Sequence, residues 1–145
     1  MFSPNFSGFL RDPKYIVVRS TKSGDFDKTC AWFCNKKSKV SAHYLIGRAG
    51  ELAQLVPLNR CAWSGIHNRD SIAIGLVSWG PLVLREGRYY SALYGNEVPF
   101  NEVRDEQDGG YRYWHAFTKA QLAKLDEVTA RFPGVPVETL GPESS

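Results

Sequence analysis

The chain has 145 residues, of which 43% are hydrophobic and 23% charged, and its formal net charge is +3. These values are typical of one globular domain, and a charge this mild gives no indication of a nucleic-acid polymer as partner. No apolar run is long enough to cross a membrane, and residues 1–15 lack the basic start and apolar stretch of a secretory signal, so we expect a cytoplasmic protein without membrane contact.

The first half of the chain alternates the signals of strands and helices. A β-branched run at 14–20, KYIVVRS, predicts a buried central strand. Apolar residues at helical spacing predict a helix over 25–37. Residues 42–57 indicate two strands joined by a turn at 48–50, and 58–70 are expected to form a loop.

Three cysteines occur in this half, and two of them lie in the predicted helix. Cys30, Cys34 and Cys61 are expected to be reduced thiols in a cytosolic protein. Cys30 and Cys34 have no second pair of ligands at metal spacing, so the sequence does not predict a zinc site there.

The stretch SIAIGLVSWG, residues 71–80, predicts a second buried strand. Gly75 lies in its middle, where a strand gains nothing from the loss of a side chain. Residues 80–113 then show little periodicity, which predicts a long irregular insertion, with a tyrosine-rich hairpin at 88–94 as its one regular element.

The clearest helix signal covers 118–132. Thr118 and Gln121 form a capping box, and Pro133 with Gly134 ends the helix. The predicted buried stripe consists of Leu122, Leu125 and Val128.

Strands mixed with helices predict an α/β (mixed) fold. We expect one domain over 1–145, with a central mixed β-sheet flanked by α-helices and an N-terminal extension at 1–13. Ligands in such folds bind outside the carboxyl ends of parallel strands. That rim would include Arg19, Ser20 and Gly75.

Three long stretches share their order and spacing with one protein family. They are VSAHYLIGRAGELAQLVPLNRCAWSG at 40–65, NRDSIAIGLVSWGPL at 68–82 and YRYWHAFTKAQLAKL at 111–125. Together they resemble the N-acetylmuramoyl-L-alanine amidase family, whose zinc amidase fold is shared by phage endolysins and peptidoglycan recognition proteins. The resemblance implies a groove over one face of the sheet and cleavage of the amide between muramic acid and L-alanine. It also implies a zinc ion held by two His and a third ligand, with a Glu or a Tyr/Lys pair assisting the attacking water.

The chain departs from the family at the positions that carry this chemistry. Arg19 stands where the first zinc-ligand His follows the first strand, and a guanidinium has no lone pair for a metal. Ser64 stands at a groove His, Gly75 at the catalytic Glu and Pro142 at a late ligand His, and the segment of the third ligand is expected to be missing. We therefore expect a catalytically degenerate member with no catalytic residues, no zinc and no other cofactor.

The old active-site groove is then predicted to bind a ligand. Arg19 would either contact an anion or replace the charge of the metal in a salt bridge with Asp70 or Glu51. His43 has a ligand-facing or a structural role, Trp63 stacks on a ligand ring or fills core volume, and His115 is expected at the surface. The candidate site consists of Arg19, Ser20, His43, Trp63, Ser64, His67, Arg69 and Gly75.

Three functions stay open at this point. The first is a cytoplasmic protein that binds a small anionic, nucleotide-like ligand, such as a phage-encoded sponge that sequesters an immune signal of its bacterial host. The second is a module of a phage or lysis system that binds peptidoglycan or muropeptides. The third is a regulatory domain that docks another protein on the groove or on the aromatic side chains of 80–113. The lack of an export signal favours the first, because peptidoglycan lies outside the membrane.

Overall fold

The computed structural model describes residues 2–65 and 68–140, apart from the side chains of Thr139 and Leu140. In chain order the strands are β1 Phe6–Phe9, β2 Tyr15–Ser20, β3 Tyr44–Ile46, β4 Leu52–Gln54, β5 Arg60–Ala62, β6 Ser71–Leu76, β7 Pro81–Arg85, β8 Arg88–Ser91, β9 Glu97–Val98, β10 Val103–Asp108, β11 Tyr111–His115 and β12 Val137–Leu140; the helices are α1 Phe26–Phe33 and α2 Lys119–Thr129. None of the described helices has the length and apolar character of a membrane span.

The central sheet confirms the predicted mixed topology. Its strand order is β12-β2-β6-β3-β4, in which β12, β2, β6 and β3 run parallel to one another and β4 is antiparallel to β3. The two predicted buried strands, β2 and β6, lie side by side in register, with Arg19 opposite Gly75. Strand β12 was not predicted from the sequence, and it covers the edge of β2.

Helices cover both faces of this sheet, as predicted. Leu125 and Val128 of α2 pack with Ile16, Ile72 and Ile74 on one face. On the other face, Phe26 and Phe33 of α1 pack with Leu45 and Ala73. Helix α1 begins after Asp25, whose side chain accepts a hydrogen bond from the Lys28 amide, and α2 begins with the predicted capping box.

The prediction of irregular structure at 80–113 was wrong. The segment belongs to a second, antiparallel sheet of order β10-β11-β7-β8-β9. Strands β7 and β8 are joined at Glu86 and Gly87, which both have positive φ (51° and 77°), the turn geometry that suits the twist of a hairpin. The exposed side of this sheet carries tyrosines as well as charged residues. The strands therefore do not show the clear alternation of apolar and polar residues by which a strand is recognised in the sequence.

The N-terminal extension is packed against the domain. Strand β1 pairs with β5, which lies in the stretch expected to be a loop. Ser3 and Asn5 are almost fully buried, each 1% exposed. The Asn5 side chain donates to the carbonyls of Phe33 and Asn35, and thereby fixes the end of α1.

A buried polar network joins the second sheet to the first. His115 is 4% exposed, so its predicted surface position was wrong. Its Nδ1 accepts the Trp79 amide and its Nε2 donates to Glu102, which also accepts from Arg48. Burial lowers the pKa of His115 below its ordinary value. Burial alone would raise the pKa of Glu102, but the hydrogen bond from His115 and the charge of Arg48 outweigh it and lower that pKa.

Candidate functional site: a cationic groove

A groove of about 350 Å³ opens at the carboxyl ends of β2 and β6, on the face covered by α1. Its wall includes Arg19, Ser20, Ser64 and Gly75, so the structure brings together half of the residues that the sequence nominated. This is the edge of a sheet at which α/β folds bind ligands, because neighbouring parallel strands end there and leave a crevice.

Arg19 is anchored within this groove. Its Nη1 donates to the backbone carbonyl of Ser64 at 2.5 Å, and a Cβ at Gly65 would lie 3.3 Å from the same nitrogen. Within residues 2–65 and 68–140, the ion pairs do not include Arg19, so the predicted salt bridge with Asp70 or Glu51 is not formed. The guanidinium is half-buried and faces the groove.

The electrostatic character of the groove is one-sided. Arg19 and Lys22 both contribute to its wall, and no acidic side chain does so among the described residues. Two cations without a carboxylate partner in a partly enclosed space attract anions, because the low-dielectric walls focus the field. The arrangement fits a ligand that carries carboxylate or phosphate groups.

The hydroxyl groups around the groove are used for hydrogen bonds within the chain. Ser20 donates to the carbonyl of Ser78, Thr29 donates to the carbonyl of Asp25, and Ser64 donates to the Asn68 side chain. Ser41 donates to the carbonyl of Asn5. None of these four contacts pairs a hydroxyl with a histidine or another base, which is the arrangement that activates a serine or threonine nucleophile.

Gly75, which the resemblance places at the position of the catalytic Glu, does not enlarge the groove. A Cβ at this position would lie 2.6 Å from Cδ2 of Leu45 and 3.1 Å from Cγ2 of Thr21. The neighbouring side chains therefore fill the volume that a larger residue would need. Gly75 contributes its backbone to the wall without adding free space.

His43 does not face a ligand, so that alternative was wrong. It is fully buried; its Nδ1 accepts the Ala73 amide at 3.0 Å and its Nε2 donates to the Arg60 carbonyl at 2.7 Å. Both ring nitrogens are therefore committed to backbone groups. Burial lowers the pKa of His43, which keeps the ring neutral.

Trp63 also lies outside the groove. It is half-buried, and its indole N–H donates to the Ser7 hydroxyl at 3.0 Å, so the ring is packed toward β1. Arg69 is exposed in the turn before β6 and does not contribute to the wall of the groove. His67 and Pro142, two further positions from the sequence, lie outside the described residues.

The donor set at the groove does not fit zinc. Zinc sites need at least three His, Cys or carboxylate ligands, and the described part of the chain contains no group of three such side chains that could hold a metal. The end of β2 carries the cationic Arg19, whose guanidinium has no lone pair for a metal. Burial raises the pKa of Cys30 to about 11, so the thiol on α1 is protonated and is a poor metal ligand.

Sequence reasoning did not nominate three residues of the groove wall that carry a charge or a large aromatic ring able to contact a ligand. Lys22 follows β2, Trp32 lies on the outer face of α1, and Tyr94 follows β8 in the second sheet. Trp32 carried a usable signal, because it is a large aromatic residue off the apolar stripe of its helix. Tyr94 carried none, because its contribution depends on how the second sheet packs on the first.

The sequence model of the N-acetylmuramoyl-L-alanine amidases matches residues 9–132, so the chain belongs to this family. No curated protein sequence matches the chain. Among solved structures, the chain is similar to the N-acetylmuramyl-L-alanine amidase AmiD from E. coli in complex with the substrate anhydro-N-acetylmuramic acid-L-Ala-D-γ-Glu-L-Lys. The TM-score is 0.55 at 24% identity, over 85% of this chain and 45% of AmiD. The chain thus spans less than half of the length of AmiD.

The second similar structure is that of a selenomethionine derivative of AmpD. The TM-score is 0.57 at 21% identity, over 100% of this chain and 88% of AmpD. At this level of identity the two similarities establish the fold, and they place the chain on the amidase scaffold.

Proposed function

We propose that this protein is a non-catalytic member of the amidase family that binds a muropeptide in the cationic groove. The observation that carries the proposal is the pair of cations, Arg19 and Lys22, in a groove wall without a described acidic side chain. Peptide fragments of the cell wall carry several carboxylates, and an arginine binds carboxylates through charge-assisted hydrogen bonds.

Binding without cleavage is supported by the chemistry of the residues at the groove. An amide is too inert to be hydrolysed without an activated nucleophile or an activated water. Arg19 supplies neither, and the hydroxyls of Ser20 and Thr29 donate to backbone carbonyls. The ring of His43 is fully buried and hydrogen-bonded to two backbone groups.

A muropeptide is favoured as the ligand because the chain has the amidase scaffold, and AmiD has been solved with such a molecule. The nucleotide-like ligand expected from the sequence has the same charge, but the chain has no Gly-rich loop of the kind that cradles phosphates. A cytoplasmic location and a phage origin stay predictions.

Titration calorimetry with anhydro-N-acetylmuramic acid-L-Ala-D-γ-Glu-L-Lys tests the proposal. We expect one molecule to bind per chain, and Arg19→Ala to weaken binding about 10- to 100-fold, since a charge-assisted hydrogen bond contributes roughly 1.5–3 kcal/mol. Arg69→Ala removes an exposed arginine outside the groove wall and serves as the matched control, with an expected change below about twofold. Absence of binding, or an equal effect of the two substitutions, would contradict the proposal.

Nucleotides form the comparison arm of this experiment. AMP, a cyclic dinucleotide and ADP-ribose are titrated under the same conditions, and we expect each to bind more weakly than the muropeptide. A nucleotide that binds more tightly, with the same dependence on Arg19, would replace the muropeptide as the ligand.

A further inference from the structure

Two exposed aromatic side chains lie in the wall of the cationic groove. Trp32 of α1 is 52% exposed and Tyr94, which follows β8, is 66% exposed. The two residues lie in different parts of the fold. Trp32 is on α1, which packs on the central sheet, and Tyr94 lies in the loop between β8 and β9 of the second sheet. Large exposed aromatic rings in a concave site supply contact area at a small entropic cost, because each has only two side-chain torsions.

Tyr94 is held in place by the chain around it. Its amide donates to the Ser91 hydroxyl at 3.0 Å, and its ring lies 6.0 Å from the ring of Trp79, at an angle of 58°. Trp79 in turn lies so close to Gly24 that a Cβ there would be 2.2 Å from the indole. The second sheet therefore presents the Tyr94 ring to the groove in a fixed position.

We infer that Trp32 and Tyr94 form a ring-binding subsite that contacts the saccharide ring of the ligand. Arg19 and Lys22 bind the carboxylates of the peptide part of the same ligand. This inference rests on the proposed function and names the part of the ligand that the aromatic pair recognises. A pyranose ring has an apolar C–H face that packs on an aromatic face, and its hydroxyls stay in water at an exposed subsite such as this one.

The test compares two probes that differ only in the sugar. The first is the tripeptide L-Ala-D-γ-Glu-L-Lys, and the second is the same tripeptide joined to anhydro-N-acetylmuramic acid. We expect the sugar-bearing probe to bind about tenfold more tightly, and Trp32→Ala and Tyr94→Ala each to remove most of that difference while the affinity for the tripeptide stays the same. Phe100→Ala, which removes an aromatic ring that is 81% exposed and lies outside the groove wall, is the matched control.

The outcomes separate the inference from the proposed function. If both probes bind equally, or if the aromatic substitutions weaken both alike, the ring-binding subsite is disproved and the muropeptide proposal stands. If neither probe binds the unchanged protein, the proposed function itself fails. Thermal unfolding of each variant shows whether it is folded, and exposed positions such as these are expected to tolerate alanine.

Discussion

The Arg19 guanidinium and the carbonyl of Ser64 form a hydrogen bond of 2.5 Å that joins the end of β2 to the loop after β5. A guanidinium has five N–H donors, and this bond uses one of them. The contact therefore fixes the direction of the side chain, and other donors of the same group can reach a ligand. In the proposed function, Arg19 is therefore a preorganised anion contact at the floor of the cationic groove.

Arg19→Lys tests whether this anchoring contributes beyond charge. A lysine keeps the positive charge but cannot bond to Ser64 and to a carboxylate through one planar group. We expect muropeptide affinity to fall about tenfold in Arg19→Lys and further in Arg19→Gln, measured by calorimetry. Equal affinities for arginine and lysine would mean that only the charge matters.

Asn5→Ala tests the attachment of the N-terminal segment. The Asn5 Nδ2 has two N–H groups, and four acceptors lie 3.0–3.2 Å from it, which are Phe33 O, Asn35 O, Ser38 Oγ and Val40 O. Because the substitution removes the hydrogen bonds that join the buried Asn5 to the end of α1, we expect the free energy of unfolding in urea to fall by about 1–3 kcal/mol. The exposed Asn101 provides the control, and Asn101→Ala should change stability by less than about 0.5 kcal/mol. Equal stabilities of the two variants would show that Asn5 does not hold the segment.

Gly24→Ala tests the packing of the second sheet on the first. The added methyl group would overlap the Trp79 indole, and overpacking of this kind costs about 1–3 kcal/mol. In a Trp79→Ala background the overlap is gone, so the same substitution should cost almost nothing. A double-mutant cycle measured by chemical denaturation gives the coupling directly. Additive effects would mean that Gly24 and Trp79 do not meet.

Stability is expected to decrease as the pH falls below about 6.5, the ordinary pKa of histidine. Burial lowers the pKa of His43 and His115 in the folded chain, so the unfolded chain binds protons first and is favoured by acid. Each histidine contributes at most about 1.4 kcal/mol per pH unit in this window. Urea unfolding at pH 5–8 measures the slope, and His43→Gln should make it shallower. An unchanged slope would show that His43 titrates alike in both states.

The middle of the central sheet could be predicted from the sequence because β2 and β6 are buried on both faces. Strands β2 and β6 have continuous apolar runs, and their parallel register places Arg19 beside Gly75 at the predicted rim. Helix α2 was identified by its capping box and apolar stripe, which are local signals. Strand β12 was missed because its four residues carry no periodic pattern of their own.

The site could be predicted only in part. Arg19, Ser20 and Gly75 follow from where parallel strands end, and Ser64 was nominated from the family resemblance. His43 and Trp63 could not be placed, because each has a partner in a strand that the sequence did not predict: the Arg60 carbonyl of β5 for His43 and the Ser7 hydroxyl of β1 for Trp63. His115 was misplaced for a related reason: the amide of Trp79 and the carboxylate of Glu102 surround it only when the second sheet is folded.

The central claim, that the groove binds a muropeptide without cleaving it, is tested most directly by mass spectrometry of the ligand after incubation with the protein. The protein is mixed with anhydro-N-acetylmuramic acid-L-Ala-D-γ-Glu-L-Lys with and without added zinc. The ligand is then recovered, and its molecular mass is measured. We predict that the molecule is recovered intact in both mixtures after it has bound. Release of the free tripeptide, at a rate proportional to protein concentration, would contradict the account.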